Sequence, residues 1–231
     1  MLLDRESPKR QFFSRMEVMK LTLLIIGIIV IIIGGVLIYP NLIKKEEISM
    51  PEKTLANKKI AMVIAFRDFQ DIEYFIPRNI LVGAGAQITT ISSQKGLAIG
   101  ADGGEVEVNL AVSEVQAGDF DAIVFIGGSG MGKKLDDESF QKIAKNAIES
   151  GKILGAICIA PALLAKAGVL QGKQATVWSS PMDKSAIKIL EEEGAKYLAE
   201  EVVVDGKIVT ALGPSVAKKF GEALIKVLTS N

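Results

Sequence analysis

With 231 residues, 49% of them hydrophobic, the chain can bury one sizeable core, and its 27 basic and 27 acidic side chains leave no net field to attract a nucleic-acid backbone, so no nucleic-acid partner is expected. A single cysteine rules out an internal disulfide, and the lack of any histidine removes the commonest nitrogen ligand for zinc, copper or iron; no metal and no other cofactor is expected. For the same reason no Cys-His or Ser-His-Asp relay can be assembled, even between copies of the chain, and any base must be a carboxylate, lysine, tyrosine or water.

Residues 1–20 form a basic tail. Residues 21–39, LTLLIIGIIVIIIGGVLIY, carry no charge and as a helix would be about 28 Å long, close to the hydrocarbon thickness of a bilayer, which predicts one transmembrane helix. The stretch before Pro40 lacks the small side chains of a signal-peptidase site, so the span is expected to remain as an anchor. Five Lys/Arg against three acids lie in residues 1–20 and again in 41–59, so charge leaves the orientation nearly balanced. A short basic N-terminus held in the cytoplasm would put the rest of this single-pass protein on the extracytoplasmic side. Residues 40–57, charged and broken by Pro51, read as a tether, and 58–231 as one folded domain.

In that domain short apolar runs alternate with helical periods, the pattern of an α/β sheet covered on both faces. Residues 60–66 are a continuous apolar run that suits a buried parallel strand; 72–84 then read as a helix, and 87–92 as a second strand. Another buried strand at 121–126 precedes Phe140, Ile143, Ala144, Ala147 and Ile148, spaced as one face of a helix that Gly151 closes. Residues 153–157 form a strand that runs directly into a helix over 160–166. Ser180 and Pro181 suit the start of a helix ending near Gly194, Asp205-Gly206 marks a two-residue hairpin, and a final helix after Pro214 carries Val216, Phe220, Ala223, Leu224 and Val227 on one stripe.

Three features could carry chemistry. In Gly155-Ala156-Ile157-Cys158-Ile159-Ala160-Pro161 a strand turns sharply into a helix, which pushes Cys158 out at the sheet's carboxyl edge and sets amide dipoles near its sulfur, favouring thiolate; a buried structural cysteine is the bland alternative. Asp68-Phe69-Gln70-Asp71-Ile72-Glu73 leads into the first helix, where acids ordinarily just complement the dipole, so Glu73 matters only if the fold points it at sulfur. Residues 127–134, GGSGMGKK, nearly match a phosphate-cradling G-x-x-x-x-G-K-[ST] loop, but Lys134 stands where a hydroxyl should hold magnesium; the glycines more simply let backbone N–H groups face a neighbouring site.

The stretches FRDFQDIEYFIPRNI, DAIVFIGGSG, GAICIAPALLAKAGVL and VVVDGKIVTALGP together resemble, in order and spacing, the ThiJ/PfpI superfamily over about residues 58–230. The resemblance implies an α/β flavodoxin-like three-layer sandwich with a mostly parallel sheet, usually a homodimer. It also implies that Cys158 is the nucleophile, Glu73 its protonated partner, and the backbone amides of Gly128 and Ile159 the oxyanion donors. Ile159 replaces the histidine of protease-type members, and Trp178 aligns with a histidine of the deglycase-like branch, where it reads as pocket wall. Leu212 stands where relatives often show a polar or basic residue. The implied function is a cofactor-free glyoxalase or deglycase acting on a small α-oxoaldehyde or its glycated adducts. The alternatives are a redox or stress sensor working through Cys158 oxidation, a binding domain with a vestigial cysteine, and a PfpI-type cysteine peptidase, the last disfavoured because expelling an amine without a histidine acid is difficult.

Overall fold

The computed structural model describes residues 54–230, together with Met19. The expected transmembrane segment at 21–39 lies outside the described residues. Among the described residues no helix is long and apolar enough to cross a membrane. The longest have 13 residues, about 20 Å, against the roughly 30 Å that a bilayer core requires. The membrane localisation expected from sequence is corrected accordingly. Within the stretch expected as a tether, Leu55 is fully buried and its N–H donates to the Ala84 carbonyl at 2.9 Å.

The chain first lays down β1 (Lys59–Val63), β2 (Arg67–Phe69), α1 (Asp71–Gly83), β3 (Gln87–Ser92), β4 (Gly96–Gly100), β5 (Glu105–Val108) and β6 (Leu110–Ala111). There follow β7 (Ala122–Phe125), α2 (Ser129–Gly132), α3 (Glu138–Glu149), β8 (Ile153–Ile157), α4 (Ala160–Lys166), β9 (Gln174–Ala175) and α5 (Ser185–Glu192). The last elements are β10 (Lys196–Tyr197), β11 (Val202–Asp205), β12 (Ile208–Ala211) and α6 (Ala217–Thr229). Seven strands form the main sheet in the order β11-β12-β8-β7-β1-β3-β6, all parallel except the β11–β12 pair. This is the α/β three-layer sandwich expected.

The central strands are apolar without interruption because both faces are covered. Along β1, Ile60 and Met62 pack into one core and Ala61 and Val63 into the other; along β7, Ala122 and Val124 divide from Ile123 and Phe125 in the same way. Helices α1 and α6 pack against each other on one face, and α3, α4 and α5 cover the other. Gly155 in β8 leaves room on the first face for α6: a Cβ there would lie 3.0 Å from Leu224 and 3.2 Å from the ring of Phe220.

Two local expectations shift. The hairpin loop is Gly206-Lys207, because Asp205 already pairs with Ile208 and Gly206 supplies the positive φ of +60° at the first loop position, the type II′ requirement. Ser180 caps no helix. Its hydroxyl accepts the Asp183 N–H in a tight turn, and Asp183 in turn accepts the N–H of Ser185, where α5 begins. A small sheet of β2, β4 and β5 has no counterpart among the elements predicted from sequence. The Asp71 carboxylate pins its connecting loop to α1 by accepting N–H groups of Asp102 and Gly104 at 2.9 and 2.6 Å.

Phe220, fully buried against the glycine notch of β8, ties α6 to the sheet. Replacing it with alanine is expected to cost about 3–5 kcal/mol in urea unfolding, with an unchanged denaturant slope.

Candidate active site

β8 ends at Ile157 and α4 begins at Ala160, so the chain must reverse within two residues at the carboxyl edge of the parallel sheet. Cys158 makes that turn at φ +64°, a conformation that costs a non-glycine residue on the order of 1–3 kcal/mol. The surrounding backbone holds it there. Its N–H donates to the Ala211 carbonyl at the end of β12, and its carbonyl accepts the N–H of Trp178, both at 2.9 Å. With both peptide groups fixed, the side chain has one way to point, out of the sheet edge. It is half-buried, not sealed.

Glu73 reaches the same point from the first turn of α1. It is fully buried, and its Oε2 accepts the N–H of Gly127 at 3.0 Å. Oε1 makes no hydrogen bond of its own; the Cys158 thiol acts directly on this carboxyl, but their contact falls short of well-formed hydrogen-bond geometry. Gly127 and Gly128 make the approach possible. A Cβ on Gly127 would fall 2.6 Å from both the Cys158 Cβ and Glu73 Oε2, and Gly128 sits at φ +103°, where a Cβ would fall 2.5 Å from the Gln70 backbone nitrogen. The backbone amides of Gly128 and Ile159 are near enough to the Cys158 sulfur to favour its ionised form.

The electrostatics follow from burial without a cation. Desolvation pushes the Glu73 carboxyl from its ordinary 4.5 up to about 7, against the smaller opposing pull of the thiol and of the Gly127 N–H. Desolvation also raises the Cys158 thiol, the charge and close contact of Glu73 raise it further, and the amides of Gly128 and Ile159 only partly offset this. The expectation that the turn's amides would hold a resting thiolate is therefore corrected. The two groups behave as one acid that gives up a first proton near neutrality and strongly resists losing a second.

Around them lies a cavity of about 370 Å³ lined by Gln70, Glu73, Ser129, Cys158, Trp178 and Pro214 among others, none of them basic. Trp178 is 36% exposed and forms the wall toward a second hollow of about 520 Å³, which Leu212 and Tyr197 help to line. All five residues singled out from sequence thus gather here: Cys158, Glu73, Gly128, Ile159 and Trp178. The two lysines of the glycine-rich loop do not, for Lys133 pairs with Asp68 at 3.3 Å and Lys134 with Asp137 at 3.0 Å. Gln70 joins the site without having been predicted. Its spacing of three residues before Glu73, on one side of a helix start, is the signal that could have found it.

The match to known proteins spans this whole domain, for residues 58–227 fit the sequence model of the DJ-1/PfpI family. The chain belongs to the DJ-1/PfpI family. An uncharacterized protein of Methanocaldococcus jannaschii is 36% identical over 180 residues, which is 78% of this chain and 86% of that one. Deglycase PfpI of Pyrococcus furiosus is 29% identical over 72% of this chain and 98% of its own length. Among solved structures, a ThiJ/PfpI domain protein from Brachyspira murdochii superposes with a TM-score of 0.71 at 35% identity, over 75% of this chain and 97% of that one. Other relatives in the DJ-1/PfpI family carry the names glutathione-independent glyoxalase and protein/nucleic acid deglycase.

The raised carboxyl has a sign that can be measured. Between pH 4.5 and about 7 the native protein holds a proton that the unfolded chain has released, so stability falls as pH rises through that window. Glu73→Gln removes this dependence and is expected to gain up to about 3 kcal/mol over wild type on going from pH 4.5 to 8, read from denaturant unfolding at both values. Removing the negative charge beside the sulfur also brings the thiol down, and Cys158 in Glu73→Gln is expected to alkylate with iodoacetamide about tenfold faster at pH 8, followed by intact mass.

Proposed function

We propose that the chain is a cofactor-free enzyme of the glyoxalase or deglycase type, acting on α-oxoaldehydes or their adducts through Cys158 and Glu73. The observation that carries this reading is the Cys158 thiol and a carboxyl pushed up to about 7 meeting in one open, cation-free pocket. A base with that affinity for protons is matched to neutral pH. Relatives bearing deglycase and glyoxalase names support the same class of chemistry.

The steps balance without any outside oxidant. The carboxylate of Glu73 takes the thiol proton as sulfur bonds to the aldehyde carbon C1, and the C1 oxygen, facing the amides of Gly128 and Ile159, collects that proton to complete a hemithioacetal. Glu73 then removes the hydrogen of C1. The electron pair left behind forms the C1–C2 double bond of an enediol, whose C2 oxygen takes that proton from Glu73. Glu73 then takes the C1 hydroxyl proton and delivers it to C2, which converts C1 into a thioester carbonyl, and water attacks that carbonyl, releasing a 2-hydroxy acid and the Cys158 thiol. One water is consumed, C1 is oxidised and C2 reduced, so no redox cofactor is called for. In this scheme the thiol need not be ionised at rest, because it loses its proton only as the carbon–sulfur bond forms.

A sensing role through Cys158 oxidation draws on the same two amides, which would hold an oxidised sulfur, but a raised thiol leaves little thiolate for peroxide to attack. The test of the enzymatic reading is lactate formation from methylglyoxal by the purified chain. Wild type is expected to turn over with a rate that rises through about pH 7 as Glu73 becomes available as base, while Cys158→Ala and Glu73→Gln fall to the uncatalysed background. Equal rates in wild type and Cys158→Ala would overturn it.

A further inference from the structure

One polar side chain of the pocket is left over by this scheme. Gln70 occupies the N-cap of α1, and its backbone is fully engaged: its N–H donates to the Gly127 carbonyl at 3.1 Å, and its carbonyl accepts the Tyr74 N–H at 3.2 Å. Its side-chain amide makes no capping bond, and its Oε1 is buried without a partner. A buried amide end left unsatisfied costs about 1–3 kcal/mol, and an N-cap serine or aspartate would have satisfied the helix instead. The side chain lines the same cavity as Cys158 and Glu73. Whichever way the amide is turned, it brings both a donor and an acceptor to the pocket wall and adds no charge.

An α-oxoaldehyde has two oxygens, and the amides near the sulfur, those of Gly128 and Ile159, account for only the one on C1. The C2 oxygen changes most during the reaction, since it carries the developing charge of the enediol. Apart from Gln70, the lining side chains offer few groups to meet it: Glu73 is engaged in proton transfer, Ser129 is exposed at the rim, and Trp178 brings a single indole N–H. We propose that Gln70 is a substrate-binding residue, its side-chain NH2 donating to the C2 oxygen of an α-oxoaldehyde whose C1 is bonded to Cys158. This rests on the function proposed above and adds to it the recognition of a 1,2-dicarbonyl over a plain aldehyde. A carboxylate in its place would crowd a second negative charge beside Glu73, and a purely apolar side chain would leave the oxygen bare.

The discriminating experiment compares two aldehydes on the purified full chain. Methylglyoxal carries the second oxygen, and propanal does not. Each adds reversibly across the Cys158 S–H bond, which protects the thiol from iodoacetamide, and the concentration giving half protection reads affinity without requiring turnover. Gln70→Leu is expected to weaken protection by methylglyoxal about tenfold while leaving propanal and the unprotected alkylation rate unchanged. Its kcat/KM for lactate formation is expected to fall on the order of a hundredfold, because the lost bond strengthens as charge develops. Gln70→Glu supplies a second arm: its methylglyoxal protection is expected to be poor above pH 8 and to recover at pH 5, where the carboxyl regains a donor. Equal weakening for both aldehydes, or none for either, overturns the role of Gln70, as does a Gln70→Glu profile that is flat with pH. Normal protection in wild type with no lactate formed would instead defeat the catalytic reading and leave the Gln70 contact standing.

Discussion

A buried carboxyl and a half-buried thiol share a pocket whose lining holds no cation, and the local architecture is arranged around keeping them there. Two negative charges side by side in a low-dielectric site are unfavourable, so near neutrality the pair retains a proton that the carboxyl would give up in water. Many cysteine sites solve the problem with an imidazolium, which lets sulfur rest as thiolate. A chain without histidine lacks that route. Under the function proposed, its reactivity comes from a base poised near neutrality instead of from a nucleophile ionised in advance.

Holding the pair together requires backbone from distant parts of the chain. The positive φ of Cys158 is unfavourable in isolation and persists because β12 and the segment before α5 fasten its two peptide groups. Glu73 is delivered by a helix that packs on the opposite end of the chain, α6, and is fixed by one N–H from the glycine loop after β7. Each glycine there has a steric reason: a methyl group at Gly127 would occupy the space in which carboxyl and thiol meet. The order of strands β12-β8-β7-β1 brings these loops to one edge, the usual place for a site in an open parallel sheet.

Much of this was legible before any coordinates. Continuous apolar runs at β1, β7 and β8 could only be central strands, the stripe through Phe140, Ile143, Ala144 and Ala147 could only be an inward helix face, and the elbow helix began and ended where its composition indicated. The small sheet of β2, β4 and β5 was not legible because glycines at 96, 100, 103 and 104 break the alternation a strand would show, while its connecting loop is held by a remote carboxylate, Asp71. Reading amide dipoles at a helix start as sufficient to ionise Cys158 failed for a related reason. The dipole is a local property, but desolvation and the Glu73 charge are set by everything packed around the sulfur, and they are larger.

The sequence by itself determined the layered α/β class, the single available thiol, the exclusion of an imidazole relay, and which residues were candidates to meet. Those follow from composition and from periodicities that neighbouring residues impose on one another. Only the tertiary structure decided that Glu73, alone among the acids of its stretch, faces the sulfur, that Asp68 and Asp71 turn away to a lysine and a loop, and that Gln70 enters the pocket unpaired. Which neighbour a side chain finds depends on contacts between segments dozens of residues apart, and no local pattern encodes the charge, burial or partner that results.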